Sequence, residues 1–439
     1  MKENVEVYGL GFAGLTLSAS LSNIGHVVTG IDINKKLVKN LNIGEIPIHE
    51  PGLYELLKEM KKSKKLTFLS ESSNREINVF IICVGTPVDC EGKADLQSLK
   101  EVLKNISKNL KKGNLVMLRS TVPVGTTRKV AKSILEKGSN LKAGIDFYLS
   151  FTPERTVEGN AIQELKNLPQ IVGGLTSECT DIAAKFWKSH SKIVVETDSL
   201  ESSELVKLAN NSFRDLTFAF SNALAILADE FNIDSNELIN LANEGYPRNR
   251  LSRPSPGVGG YCLTKDPLLY ASSNENAPHA RLARLGREIN NEIANYPEKI
   301  FDKFLKQENL KISDLRILII GIAFKGLPET NDIRGSAGLN LALKLNKKCH
   351  ILNVFDAIVS KDQLEKEGLN YIDIYEIDKF EFNAIFIMNN HPRNVKEEML
   401  SSLKEEKVFI FDGWNQIEKI KNSDKKNIRY ANLGYYSEK

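Results

Sequence analysis

Short apolar runs alternate with stretches of helical spacing up to about residue 195. Along the chain the runs read VEVYG, VFIICV, NLVMLRS, DFYLSF, PQIVGG and KIVVE. Continuous apolar strands of this kind are typical of sheets that are buried on both faces, with parallel strands joined by helices. The pattern therefore predicts a doubly wound parallel α/β sheet in this part of the chain.

A different pattern begins near residue 199. Apolar positions recur at helical spacing through SLESSELVKLANNSFRDLTFAFSNALAILADEF, which contains neither Pro nor Gly. Its length indicates a helix that spans two domains or forms a subunit interface. From about residue 313, LRILIIGIAFKG, HILNVFDA, NAIFIMNN and KVFIFDGW again predict buried parallel strands. We thus expect two doubly wound sheets joined by a long central helix, with domains at 1–197, 198–300 and 301–439.

The charge balance and the cysteines exclude several classes of function. The 439 residues include 59 basic and 56 acidic ones, and the net charge of +3 argues against a nucleic-acid or membrane-surface binder. No apolar run approaches the roughly 18 residues of a membrane span, and no signal peptide is visible, so a cytoplasmic protein is expected. Five cysteines without a C-x-x-C pair predict neither disulfides nor a metal site.

The first strand leads into a glycine-rich turn. The order is strand, Gly9-x-Gly11-x-x-Gly14, helix, second strand and Asp32. Gly9 permits a tight turn, Gly11 lets a pyrophosphate approach the helix N-terminus, and Gly14 allows close packing of helix and strand. A carboxylate such as Asp32 bonds the ribose hydroxyls and repels a 2'-phosphate, so this Rossmann-like context predicts NAD rather than NADP. The expected cofactor contacts in the turn are Gly9, Gly11, Phe12, Ala13 and Gly14.

Cys262 stands alone among glycines in PSPGVGGYCLTKDP. A thiol attacks as its thiolate and has an unperturbed pKa of about 8.5, so a nucleophilic cysteine needs a cation or a helix N-terminus nearby. Lys265 supplies a cation three residues on, and Asp266-Pro267 predicts an N-cap followed by the first helical residue. The glycines leave room for a substrate against the backbone; they are Gly257, Gly259 and Gly260. A buried cysteine on a glycine turn before an ordinary helix is the alternative.

Several motifs in order resemble the nucleotide-sugar 6-dehydrogenases, the family that oxidises UDP-glucose, GDP-mannose and UDP-N-acetylhexosamines. They are GLGFAG, ICVGTP, RSTVPVGTT, TPER, ELVKLANN, GVGGYCLTKDP, GIAFKG and NDIRGS, and together they extend over essentially the whole chain. The resemblance implies an N-terminal NAD domain, a C-terminal nucleotide-binding domain and a long central helix that forms a homodimer. It also implies a UDP-sugar as substrate and NAD as cofactor.

The resemblance assigns catalytic roles to named residues. A primary alcohol at C6 of the sugar is oxidised twice, with Cys262 holding the aldehyde as a thiohemiacetal and then the acid as a thioester that water hydrolyses. Lys207 and Asn211, four apart on the predicted central helix, match the family pair that stabilises the oxyanions. Glu154 and Asp266 match carboxylates that position or deprotonate water. Without the resemblance, Lys207 and Asn211 are an exposed lysine and a helix asparagine.

Further residues match family positions at the cofactor or the sugar. The expected cofactor side comprises Thr121, Thr86, Pro87, Lys265 and Arg334. The expected substrate side comprises Arg155, Lys325, Arg248, the three glycines of the cysteine loop, and Glu154, Lys207 and Asn211. Thr121 also matches a hydroxyl that contacts water. Arg248 matches a residue that reaches the substrate of the neighbouring subunit. As isolated features, an arginine or lysine of this kind is usually a surface charge.

The sugar is indicated by two stretches. Pro153-Glu154-Arg155 stands where the UDP-glucose branch usually carries PEF, and NNSFRDLTFAFSNA looks more like the branch that oxidises 2-acetamido sugars. UDP-N-acetylmannosamine is therefore the first expectation and UDP-N-acetylglucosamine the second, with UDP-glucose as an alternative. Two other functions remain as alternatives. One is a β-hydroxyacid dehydrogenase that carries out a single oxidation, and the other is a non-catalytic regulator that binds a nucleotide sugar.

Overall fold

The computed structural model describes residues 2–73, 76–89, 91–395, 407–417 and 427–437. These residues form two compact units. The first comprises Met1–Asn211 and Lys265–Arg281, and the second comprises Ser212–Thr264 and Leu282–Lys439. The predicted domain boundaries at 197/198 and 300/301 do not coincide with these limits and stay predictions.

The first unit is built on an eight-stranded sheet with the order β3-β2-β1-β4-β5-β6-β7-β8. The strands are β1 (Asn4–Tyr8), β2 (Val27–Ile31), β3 (Leu66–Leu69), β4 (Val79–Ile82), β5 (Leu115–Leu118), β6 (Tyr148–Phe151), β7 (Gln170–Gly174) and β8 (Val194–Thr197). All neighbouring strands are parallel except β6 and β7, which pair in opposite directions. The predicted doubly wound parallel sheet is confirmed, with one departure at the β6–β7 pair. An apolar strand buried on both faces looks alike in either direction.

Helices cover both faces of this sheet, and each face has its own apolar cluster. They are α1 (Phe12–Asn23), α2 (Lys35–Ile43), α3 (Leu53–Lys62), α4 (Gln97–Asn109), α5 (Lys132–Ser139), α6 (Ala161–Asn167) and α7 (Ser177–Lys188). A short π-helix, Thr127–Ala131, precedes α5. Local sequence sets several of the ends. For example, the Asn34 side chain accepts a hydrogen bond from the Leu37 N–H at the start of α2, and Gly44 ends that helix with φ 95°.

Three helices contribute residues to both units. They are α8 (Leu200–Glu230), α10 (Tyr261–Ser272) and α11 (Pro278–Glu292), whereas α9 (Ser235–Asn243) lies in the second unit alone. The 31 residues of α8 confirm the predicted long helix. Among the residues described, no helix combines the length and the apolarity that spanning a bilayer requires.

The second unit contains a seven-stranded sheet with the order β11-β10-β9-β12-β13-β14-β15. Its strands are β9 (Arg316–Ile320), β10 (Ile351–Phe355), β11 (Asn370–Tyr371), β12 (Ala384–Ile387), β13 (Val408–Asp412), β14 (Ile428–Asn432) and β15 (Tyr435–Tyr436). Among the strands that the structure describes in this sheet, β14 and β15 form the one antiparallel pair. The helices α12 (Tyr296–Glu308), α13 (Ala337–Leu345) and α14 (Lys361–Lys366) belong to this unit. The strand order repeats that of β1 to β5, because the third, second, first and fourth strands again lie side by side.

Candidate active site

The turn after β1 has the geometry that the glycine triplet predicts. Gly9 has φ +89°, a conformation that residues with a side chain rarely adopt. A Cβ on Gly14 would lie 1.8 Å from the carbonyl oxygen of Gly9, so any side chain there would separate α1 from the turn. A Cβ on Gly11, by contrast, would meet no atom within 4 Å. Gly11 therefore faces open space at the N-terminus of α1, where a pyrophosphate fits.

Asp32 follows β2 directly and is held by backbone donors. Its Oδ2 accepts the Leu10 N–H at 2.8 Å, and its Oδ1 accepts the Asn34 N–H at 2.9 Å. These bonds fix the carboxylate beside the glycine turn, and each oxygen retains a second lone pair for a ribose hydroxyl. The open space at Gly11, the N-terminus of α1 and the oriented Asp32 carboxylate together fit NAD, with phosphate at the helix and ribose at the acid.

We expect Asp32→Ala to weaken NAD binding by about 10- to 150-fold, since one good hydrogen bond to a charged group contributes about 1.5–3 kcal/mol. The same change should narrow the preference for NAD over NADP, because the negative charge that repels a 2'-phosphate is lost. Titration of both cofactors against the purified variant measures the two effects. Asp181→Ala, an exposed acid on α7, is the matched control. An unchanged ratio of the two affinities would contradict the role of Asp32.

The second sheet has a similar glycine turn after β9, but the acid that follows its second strand is placed differently. Gly321 also has φ +89°, and a Cβ on Gly338 would lie 2.3 Å from the Gly321 carbonyl oxygen, as Gly14 does with Gly9. Asp356 follows β10 as Asp32 follows β2, but its Oδ2 accepts the N–H groups of Ile322 and Ala323, and its Oδ1 accepts two more. This carboxylate is buried. Asp356 thus serves the fold rather than a ribose.

A buried ionic group lies at the end of β6. The Arg119 Nε donates to Glu154 Oε2 at 2.9 Å, and its Nη1 donates to Gln170 Oε1 at 3.2 Å. Glu154 Oε1 accepts the N–H groups of Arg155 and Thr156, each at 2.8 Å. The Lys207 Nζ donates to the carbonyl oxygen of Glu154. The structure thus brings together Glu154 and Lys207, two of the predicted catalytic residues.

The charge state of Glu154 follows from this environment. Burial raises the pKa of its carboxyl, but the Arg119 guanidinium, the Thr156 N–H and the Lys207 ammonium outweigh burial, so the pKa lies below its ordinary value. A carboxyl group with a lowered pKa is an anion at neutral pH and a weak base. Its geometry favours orienting Lys207 or a water over removing a proton.

Asp266 is the centre of a second buried group. Its Oδ2 accepts from the Asn211 Nδ2 at 2.6 Å, and its Oδ1 accepts from the Lys265 Nζ at 2.6 Å. Asp266 is 0% exposed. Asn211 lies one helical turn after Lys207 on α8, as the spacing predicted. The structure places Lys265 in an ion pair with Asp266, which holds the lysine in a defined position.

The predicted helix start at Asp266-Pro267 was wrong. The helix α10 begins at Tyr261, and Pro267 lies inside it. The Thr264 hydroxyl donates to the Gly260 carbonyl oxygen at 2.8 Å, which closes the first turn. Cys262 is therefore the second residue of the helix, where backbone N–H groups favour a negative charge directly. Asp-Pro is common at helix starts, but here the helix follows directly on the closely packed glycine loop and starts six residues before Pro267.

The glycines before Cys262 pack against the rest of the second unit. A Cβ on Gly257 would lie 2.7 Å from the Ala337 Cβ, one on Gly259 would lie 2.5 Å from the Gly335 carbonyl oxygen, and one on Gly260 would lie 2.6 Å from the Phe324 ring. Protein atoms thus occupy the positions that a Cβ would take, so packing requires glycine here, and the expected contact of these glycines with a substrate stays a prediction. They bring the loop against the 321–337 segment.

Cys262 differs from the other cysteines that the structure describes. Its side chain is exposed, whereas Cys179 is buried. Burial raises the pKa of Cys83 to about 12, and it also raises the pKa of Cys349. A thiol with a raised pKa is a poor nucleophile at neutral pH. Among these four cysteines, Cys262 is therefore the accessible one, and its thiol lies in the first turn of α10.

The remaining predicted residues have ordinary local contacts. The Thr86 hydroxyl donates to the Thr121 carbonyl oxygen, which joins the loops after β4 and β5, and Pro87 is exposed. The Arg155 Nη1 lies 3.5 Å from the Pro169 carbonyl oxygen. In the second unit, Arg248 lies over the Tyr246 ring, and Lys325 lies over the Phe324 ring. Arg334 pairs with Asp332 and lies over the Tyr261 ring at 4.7 Å.

Sequence reasoning missed two buried residues of the first unit. Arg119 begins the RSTVPVGTT motif, and a charged residue directly after the apolar LVML run was the available signal. Glu204, one turn before Lys207 on α8, accepts hydrogen bonds from the Gly125 N–H at 2.5 Å and the Thr127 N–H at 2.8 Å. Burial raises the pKa of Glu204. Glu204 thereby attaches the loop that follows Thr121 to the helix of Lys207.

Comparison with known proteins extends over nearly the whole chain. Residues 3–191 match the NAD binding domain, residues 201–292 the central domain and residues 318–419 the UDP binding domain of the UDP-glucose/GDP-mannose dehydrogenase family. A UDP-N-acetyl-D-mannosamine dehydrogenase from Pyrococcus horikoshii is 33% identical over 94% of this chain and 96% of its own length. A UDP-N-acetyl-D-mannosamine dehydrogenase from Campylobacter jejuni is 38% identical over 77% of this chain and 82% of its own length. A solved UDP-D-ManNAc dehydrogenase from P. horikoshii aligns with a TM-score of 0.86 and 31% identity, covering 98% of this chain and 99% of that one.

Proposed function

Because the chain belongs to the UDP-glucose/GDP-mannose dehydrogenase family, we propose that it oxidises the C6 alcohol of UDP-N-acetyl-D-mannosamine to the carboxylate with NAD. The observation that carries the proposed chemistry is the exposed Cys262 thiol in the first turn of α10. The choice of sugar rests on the names of the similar dehydrogenases and on the NNSFRDLTFAFSNA stretch. UDP-N-acetylglucosamine is the second choice.

NAD, when bound at the glycine turn, accepts the hydride that each of the two oxidations removes from C6. Between the oxidations, the Cys262 thiolate adds to the aldehyde carbon and forms a thiohemiacetal, which can be oxidised to a thioester. Water then attacks the thioester carbon, the carbon–sulfur bond breaks, and the thiol is regenerated. One alcohol, two NAD and one water thus give one carboxylate, two NADH and three protons.

The buried groups of the first unit have matching tasks in this scheme. The Lys207 ammonium and the Asn211 amide are assigned to the oxyanions of the tetrahedral species, where a fixed donor is most effective. Glu154 orients Lys207, since Lys207 donates to the Glu154 backbone while Arg119 holds its carboxylate. Asp266 orients Asn211 through the 2.6 Å hydrogen bond. Contacts with cofactor and substrate stay predictions for a further set of residues, namely Thr121, Thr86, Arg155, Arg248, Lys325 and Arg334.

We also propose a homodimer that forms through α8. On this helix Phe213, Phe220 and Leu227 recur every seven residues and are 71%, 59% and 51% exposed. Leu282 and Leu285 of α11 are likewise exposed. An apolar stripe of this size on a long helix is typical of an interface. Light scattering of the purified protein should give twice the chain mass of 49.1 kDa, and the mass of a single chain at micromolar concentration would contradict the dimer.

The assay that tests the function counts NADH released per sugar consumed. Purified protein with NAD is offered UDP-N-acetylmannosamine, UDP-N-acetylglucosamine, UDP-glucose and GDP-mannose in turn. Two NADH with UDP-N-acetylmannosamine support both reaction and substrate. Two NADH with another sugar alone would keep the chemistry and replace the substrate. One NADH per sugar would indicate a single-oxidation enzyme, and no turnover with any of the four would contradict the proposal.

A further inference from the structure

The loop that leads to Cys262 is backed by a buried polar network within the second unit. Its members are Asp215 and Asn222 of α8, Arg287 and Asn290 of α11, and Ser255 at the start of the loop. Each is at most 5% exposed. Polar groups are costly to bury unless they are hydrogen-bonded, so five of them in one place indicate a defined arrangement.

One half of the network joins the two helices. The Arg287 Nη1 donates to Asp215 Oδ1 at 2.7 Å, and the Asn290 Nδ2 donates to the same oxygen and to the Asp215 carbonyl oxygen, each at 2.9 Å. A longer contact of 3.5 Å links the Arg287 Nη1 to the Val258 carbonyl oxygen in the loop. The hydrogen bonds to Asp215 therefore fix the Arg287 and Asn290 side chains, which lie next to the loop.

The other half of the network passes through Asn222. Its Nδ2 donates to Asn290 Oδ1 at 2.9 Å, and its Oδ1 accepts the Ser255 N–H at 2.9 Å. The Ser255 hydroxyl in turn donates to the Gly257 carbonyl oxygen at 3.1 Å. Both ends of the Asn222 amide are used, so its orientation is determined by its partners. The amide connects the helix pair to the backbone of the loop.

On its other side, the loop is bound to the segment that follows β9. The Gly260 N–H donates to the Arg334 carbonyl oxygen at 3.0 Å, and Gly259 packs on the Gly335 carbonyl. The loop is thus fixed at both ends, by Asn222 near Ser255 and by Arg334 at Gly260. Cys262 follows two residues after Gly260, so the position of its Sγ depends on these attachments.

We propose that Asn222 is a positioning residue for Cys262, acting through Ser255 to hold the cysteine loop in its reactive geometry. The inference rests on the proposed function, in which Cys262 is the nucleophile. Asn222 acts on the thiol through the loop backbone. Apolar side chains could pack α8 against α11 equally well, whereas only a donor and acceptor pair can join Asn290 to the Ser255 N–H.

The test compares Asn222→Ala and Asn222→Leu, which keeps most of the side-chain volume but removes the amide, with Ser221→Ala. Ser221 is an equally buried neighbour whose hydroxyl donates only within α8, to the Thr217 carbonyl oxygen. Alkylation of Cys262 by iodoacetamide, followed by peptide mass spectrometry, reports the thiol without substrate, and NADH release gives kcat and KM. We expect kcat to fall about ten- to a hundredfold in the first two variants, as for a misplaced reacting group. Alkylation of Cys262 should slow in parallel, with KM changed less than kcat.

The outcomes separate the inference from the proposed function. Folded Asn222→Ala and Asn222→Leu variants with wild-type alkylation of Cys262 would overturn the positioning role, whatever their kcat. If Asn222→Ala fails to fold, Asn222→Leu decides in the same way, because it too removes the acceptor of the Ser255 N–H. An equal loss of alkylation in Ser221→Ala would also overturn the role, since a general disturbance of α8 would then account for it. Normal turnover by Cys262→Ala, by contrast, would contradict the proposed function. The alkylation rates would still report whether Asn222 positions the Cys262 thiol.

Discussion

Cys262→Ala is expected to abolish formation of the acid while leaving NAD binding intact. An aldehyde has no hydroxyl-bearing carbon from which the second hydride can leave, and the Cys262 thiol supplies the adduct that has one. The variant should therefore produce at most one NADH per sugar and no carboxylate. Product mass spectrometry and NADH counting measure the first effect, and cofactor titration measures the second.

Cys349→Ala is the matched control for this experiment. Burial raises the pKa of the Cys349 thiol, so this cysteine has no expected part in the chemistry, and its variant should turn over normally. A Cys262→Ala enzyme that still released two NADH and the acid would rule out the thioester. Loss of NAD binding in the same variant would instead indicate that the substitution had disturbed the fold.

Lys207→Met is expected to lower kcat by about 10²- to 10³-fold, the loss typical of removing one oxyanion donor. Methionine keeps the length of the buried side chain and removes the ammonium, so packing against Glu154 changes little. NAD affinity should stay close to that of the wild type, because the glycine turn and Asp32 lie on other elements. Steady-state kinetics and cofactor titration on the same preparation measure both quantities.

Lys185→Met provides the control for Lys207, because Lys185 is an exposed lysine on α7 whose charge has no assigned role. It should retain wild-type kinetics. If Lys207→Met instead raised KM alone and left kcat unchanged, Lys207 would be a substrate-binding residue rather than a transition-state donor. If kcat fell by a similar factor in the Lys185 variant, the change in net charge would account for the effect.

The fold was largely predictable from the sequence, because buried strands and a 31-residue helix leave strong periodic signals. The glycine triplet and Asp32 were predictable as well, since their spacing reflects a turn that few other residues can form. Strand direction was not predictable. The sequence of β7 is as apolar as that of its neighbours, and its reversal against β6 depends on how the intervening chain packs.

The candidate site was predictable in its residues but not in its contacts. Lys207 and Asn211 share a face of α8 because of helical spacing, whereas their partners Glu154 and Asp266 come from distant parts of the chain. Arg119 was missed because no local pattern announces a buried ion pair between two strand ends. The start of α10 was misplaced because tertiary packing of Gly259 and Gly260 outweighed the local preference of Asp-Pro.

The contact of 1.8 Å that a Cβ on Gly14 would make has a consequence for protein engineering. A library that randomises the first turn in search of new cofactor preference would lose most of its members at this position, because every replacement moves α1 away from Gly9. Ile33 is exposed and carries no such restriction, and replacements of Asp32 are limited by the Leu10 and Asn34 N–H groups that its carboxylate accepts rather than by space. Diversity placed at those two positions, with Gly14 kept constant, would sample cofactor selectivity without spending variants on misfolded protein.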